Sequence, residues 1–127
     1  MKCKELMTND WVSDKYGYLM QITVIGDGYV SFEDDEGNLC QLDDKCNQPE
    51  PIPLTYEILE KNGWKRHEIF MDIKADENFN INFSWTDRYG ESLFQNGYYM
   101  CDCKYVHTLQ HALRLCGLDE LADNFKI

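Results

Sequence analysis

Positive charge, long apolar runs and proline are all scarce in this 127-residue chain. Its 12 Lys and Arg stand against 23 Asp and Glu, a formal net charge of −11. A surface this negative repels phosphate backbones at long range, which disfavours direct binding to nucleic acid or to an anionic membrane. The shortage is sharpest in the first 53 residues, where 4 Lys face 11 Asp or Glu. A basic protein partner is the natural complement. No run approaches the ~18 apolar residues that cross a bilayer as a helix. The start MKCKELMTNDW also lacks the apolar stretch of a secretory signal. The expectation is a soluble cytoplasmic protein whose Cys3, Cys40, Cys46, Cys101, Cys103 and Cys116 stay reduced.

The usual carriers of catalysis are missing as well. Gly26-Asp27-Gly28 has neither the third glycine nor the following helix of a phosphate loop, and no Gly-x-Ser-x-Gly elbow occurs. Glu33-Asp34-Asp35-Glu36-Gly37 is rich in hard-cation ligands. It lacks the alternating order and the closing Glu of a calcium loop, and charge on a turn keeps a sheet edge soluble. Cys–His pairs can be drawn in many ways from six cysteines with His67, His107 and His111, so their presence carries no information. The chain reads as a non-enzyme with no cofactor.

All three prolines fall within Pro49-Glu50-Pro51-Ile52-Pro53. Alternating prolines fix φ and delete amide donors, so this stretch predicts an extended connector between residues 1–53 and 54–127. Before it, Tyr18, Met20, Ile22 and Val24 alternate along one face. Gly26-Asp27-Gly28 then turns into Tyr29–Phe32, and the acidic turn leads to Leu39–Leu42. With Trp11-Val12 as a first strand, the N-terminal part predicts a small antiparallel β-barrel-like subdomain.

After the prolines, Thr55 is a good N-cap, Glu57 falls in the first turn and Asn62-Gly63 is a stop, which predicts a helix over 55–62. Phe79-Asn80-Ile81-Asn82-Phe83-Ser84-Trp85 alternates without exception, aromatic or aliphatic on one face and amide or hydroxyl on the other. Arg88-Tyr89-Gly90 predicts a turn, and Asn96-Gly97 predicts a tight hairpin. A meander of three to four strands needs a cover on its apolar face, and helices at 55–62 and 105–116 are the available lids. The fold class is α+β, in two subdomains that can share one core. Trp11, Trp64, Trp85, Tyr98 and Tyr99 are too many for one narrow core face, so some should line a groove.

The stretch KYVHTLQHALRLCGL holds the one hint of metal chemistry. His107 and His111 share the i, i+4 spacing of the metallopeptidase helix, but Thr108 stands where the general-base Glu belongs. Cys101, Cys103, His107 and His111 are zinc-type ligands, and a small zinc-binding protein is an alternative reading, although their spacing matches no standard knuckle. At 100° per residue, Val106, Leu109, Ala112 and Leu113 form the core arc, with His107, His111 and Arg114 opposite. That geometry makes His107, His111 and Arg114 an outward strip, a candidate partner surface that would respond to pH.

Three stretches together, Glu5–Val12, PIPLTYEILEKNGW at 51–64 and KYVHTLQHALRLCGL at 104–118, resemble a group of short uncharacterised proteins of gut anaerobes, often carried on phages or mobile elements. The resemblance implies a cytoplasmic accessory protein and supplies no activity. The leading expectation is therefore a non-catalytic interaction or regulatory protein that binds another protein. An acidic DNA mimic that inhibits a nucleic-acid-binding protein is the other alternative.

Overall fold

The alternation that begins at Tyr18 breaks at Ile22-Thr23, and the break sets the architecture of the N-terminal strands. In the computed structural model of residues 1–127, all positions but 77 and 87–89 are described, with backbone alone for 75, 76 and 86. Strand β1 (Trp11–Ser13) pairs antiparallel with β2 (Leu19–Gln21). The Ile22 amide then donates to the Asp10 carbonyl and the Thr23 amide to the Ser31 carbonyl. The chain thereby leaves one sheet and enters a second, in which β3 (Val24–Gly26), β4 (Tyr29–Glu33) and β5 (Leu39–Asp43) pair in sequence order.

One continuous strand would have buried Tyr18, Met20, Ile22 and Val24 together. Instead Met20 and Ile22 are buried while Tyr18 and Val24 are exposed. The expected barrel-like unit is thus a two-stranded and a three-stranded sheet, with no closed ladder among the described residues. The acidic turn is held by Asp34, whose carboxylate accepts from the Glu36 and Asn38 amides. Glu50 of the proline segment bridges to Ser13, and the segment lies outside every named strand.

Residues 53–104 follow local signals closely. Thr55 caps α1 (Tyr56–Lys61), its hydroxyl accepting from the Ile58 amide at 3.2 Å. An antiparallel five-stranded sheet follows, in the order β10-β9-β8-β7-β6. Its strands are β6 (Lys65–Arg66), β7 (Phe70–Asp76), β8 (Phe79–Thr86), β9 (Gly90–Gln95) and β10 (Tyr98–Asp102). Period-2 alternation buries Met71, Ile81, Phe83 and Leu93. Asn96 and Gly97 both adopt positive φ, 49° and 87°, as a primed hairpin turn requires. The turn expected at Arg88-Tyr89 lies outside the described residues.

The C-terminal helices α2 (Val106–Leu115) and α3 (Asp119–Asp123) do not group with this sheet. One compact unit comprises residues 1–52 and 105–124, the other 53–104 and 125–127. This differs from the expected division into 1–53 and 54–127, in which residues 105–124 stood with the meander. The physical reason lies in the polar bonds of α2.

The hairpin turn yields a first prediction. Gly97→Ala should lower the unfolding free energy by about 1 kcal/mol, because a Cβ is disfavoured at positive φ, and Gly97→Asn by less. Urea titration reads both; equal losses would contradict the backbone explanation.

Candidate functional site

Three polar side chains of α2 point into its own unit. Asp10 is fully buried, and its Oδ1 accepts from Arg114 Nη1 at 2.7 Å. Its Oδ2 accepts from His111 Nε2 at 2.6 Å and from the Met7 amide at 2.8 Å. Because a carboxylate beside a guanidinium acts as an acceptor, His111 carries its proton on Nε2. Arg114 Nη2 donates onward to the Thr8 carbonyl at 3.0 Å and to Asp123 at 3.4 Å. Gln110 is also fully buried. Its Nε2 donates to the carbonyls of Asn9 and Ala122, and its Oε1 accepts from the Trp11 amide. The helix thus satisfies the Thr8 and Asn9 carbonyls and the Trp11 amide, the Asn9 carbonyl accepting from Gln21 Nε2 of β2 as well.

The outward strip of His107, His111 and Arg114 is therefore corrected. Counting apolar residues alone placed the buried arc too narrowly, since Gln110 lies 40° beyond Val106 and carries the arc on to Arg114, His107 and His111. The solvent side is marked by Leu115, 88% exposed. His107 stacks on Tyr105 and meets His111 edge-on at 5.7 Å, and its Nδ1 is buried without a hydrogen-bond partner among the described residues. Burial lowers its pKa and His111 adds to the effect, against the pull of Asp10 and Glu5.

The candidate zinc set is not assembled. Among the described residues no three His, Cys, Asp or Glu side chains are gathered to hold a metal ion. His111 is committed to Asp10 through Nε2. Burial raises the thiol pKa of Cys103, followed by the negative potential of Cys101 and Glu91, which works against the thiolate zinc needs. Burial also pushes Cys3 up to about 11, with Asp44 adding to it. These are the properties of inert core thiols.

A second histidine–carboxylate pair stands on the polar face of the five-stranded sheet. His67 Nε2 lies 2.8 Å from Asp72 Oδ1, Asn80 donates to Asp72 Oδ2, and the imidazole stacks on Phe70 at 4.5 Å. Burial alone would raise the Asp72 pKa, but the bonds from Asn80 and His67 outweigh it and leave it lowered. Lys65 and Lys74 share this recess. Among the described residues no serine, threonine or cysteine lines it, and Asp72 orients the imidazole.

Two further grooves are aromatic. In the N-terminal unit, Tyr18 and Phe32, with ring centroids 6.3 Å apart, lie beside Cys40 and the carboxylate-bearing Asp34, Asp35 and Glu36. Desolvation raises the Tyr18 pKa, and the charges of Asp35 and Asp34 add to it. In the sheet unit, Tyr56, Phe83 and Trp85 form a groove with Leu54, Thr55, Glu57 and Glu91. Of the aromatics expected to exceed the core, Trp64 is buried, whereas Trp85, Tyr98 and Tyr99 are exposed. Sequence reasoning missed Asp10 and Gln110; the only signal was a glutamine next to the apolar arc of α2.

No protein-family model, curated protein or solved structure matches this chain. The reading of the site therefore rests on its own geometry.

Asp10→Asn should cost about 3–5 kcal/mol, since it strands a nearly buried guanidinium. Adding Arg114→Met should restore part of the loss in a thermal melt; no recovery would contradict the pairing. Because the folded-state pKa of His107 is depressed, the unfolded chain takes up its proton first as pH falls below about 6.5, so stability should drop with acidification. His107→Gln should flatten that part of the Tm-versus-pH curve, and an unchanged slope would remove His107 as a cause.

Proposed function

We propose that this protein is a non-catalytic interaction module that binds a basic protein partner through acidic, aromatic-lined grooves. One observation carries the reading. Both aromatic grooves, one in each unit, present carboxylates, and among the described residues neither is lined by lysine or arginine. Aromatic side chains supply rigid contact area at low conformational cost, and carboxylates select a partner by sign and raise its association rate. The net charge of −11 extends the same field over the molecule.

The proposed setting is the cytoplasm, where thiols stay reduced; among the described residues no disulfide joins any of the six cysteines. Among the described residues no helix is long and apolar enough to cross a membrane. A role as a small accessory protein agrees with the resemblance of its first, middle and last segments to short proteins of mobile elements.

The test is capture of partners on the immobilised protein at about 0.05 M and about 0.5 M salt, a range that shortens the Debye length severalfold. A basic protein held at low salt and released at high salt is the expected result. Salt-insensitive capture of an acidic protein would contradict the proposal. Release of the partner by added DNA would turn the reading towards mimicry of DNA.

A further inference from the structure

The groove beside α1 is more specific than its charge. Phe83, 4% exposed, forms its floor, and the Tyr56 ring stands edge-on to it at 6.1 Å and 80°. Trp85, 57% exposed, forms a second wall, and the β8–β9 register sets Glu91 directly opposite it. Glu57 enters from the first turn of α1. Neither Glu57 nor Glu91 forms an ion pair with a described residue. The cavity is about 280 Å³. That is below the ~300–1,000 Å³ of pockets for drug-sized ligands and points to a single side chain.

The protein already shows the relevant chemistry on the same ring. The Arg66 guanidinium sits 5.0 Å from the Tyr56 centroid and is held there by Glu60 of α1 at 2.8 Å. A cation, an aromatic face and a helix carboxylate are thus one stable combination here, and the groove offers the same two protein components again, with indole, the strongest cation–π face, added.

We infer that this groove binds the side chain of an arginine or lysine presented by a basic segment of a partner protein. The apolar stem lies along Phe83 and Leu54, the cationic head meets Trp85 and Tyr56, and Glu57 and Glu91 neutralise it. The inference rests on the proposed basic partner and adds where that partner is read and by which group.

The test follows the indole N–H signals of the full chain by NMR, with the Trp85 signal assigned from Trp85→Phe. The probes are N-acetyl-arginine methylamide, N-acetyl-lysine methylamide and the neutral N-acetyl-norleucine methylamide. The two cationic probes should shift Trp85 saturably and leave buried Trp64 in place. Glu57→Gln with Glu91→Gln should weaken the arginine probe about threefold to tenfold, as expected for exposed charge contacts. An unmoved Trp85 signal, or an equal response to the norleucine probe, would overturn the inference. Circular dichroism checks that the double variant folds, and Trp85→Ala, at a largely exposed position, gives an independent loss of binding. Unchanged capture of a basic partner by the double Gln variant would sink this groove while leaving the general proposal standing. Saturable cation binding without any basic partner would do the reverse.

Discussion

A carboxylate with no access to water, Asp10, is the constraint around which the unit of residues 1–52 and 105–124 is organised. Burying such a charge costs several kcal/mol unless it is paired and hydrogen-bonded. Met7, His111 and Arg114 together meet that demand, and two of them lie about a hundred residues away in sequence. Asn9, beside it, adopts a left-handed φ of 73°, and its carbonyl is taken up by Gln110. The first strand pair, the turn before it and α2 are thereby one construction. Arg114 is neutralised by Asp10, so the remaining charges, still net negative, set the outer field.

That field gives the two aromatic grooves their meaning. Aromatic walls alone would accept many apolar groups, and carboxylates alone would attract any cation. In the proposed function the two together discriminate for a cation on an apolar stem, the chemistry of a basic side chain.

Much of the sheet unit was legible in the sequence because its signals are local. Thr55 caps its helix, the alternation from Phe79 to Trp85 matches β8, and Asn96-Gly97 makes the hairpin. The N-terminal strands form no closed ladder among the described residues and the two units do not follow chain order, and both outcomes depend on pairings that the local pattern does not show. Nothing local at Ile22-Thr23 announces a change of sheet, and nothing near His111 announces Asp10. Strand β6 and helix α3 are too short to show a period. The excess of aromatics was readable as a group. Which of them would face a groove depended on the Trp85–Glu91 register and on the place of Tyr56.

Native-state hydrogen exchange tests most directly whether α2 and the segment around Asp10 form one structural unit. The Met7 and Trp11 amides donate to the side chains of Asp10 and Gln110. They should therefore open with the same free energy as the Leu109 amide inside α2. Rapid exchange at Met7 and Trp11 while Leu109 stays protected would contradict the account.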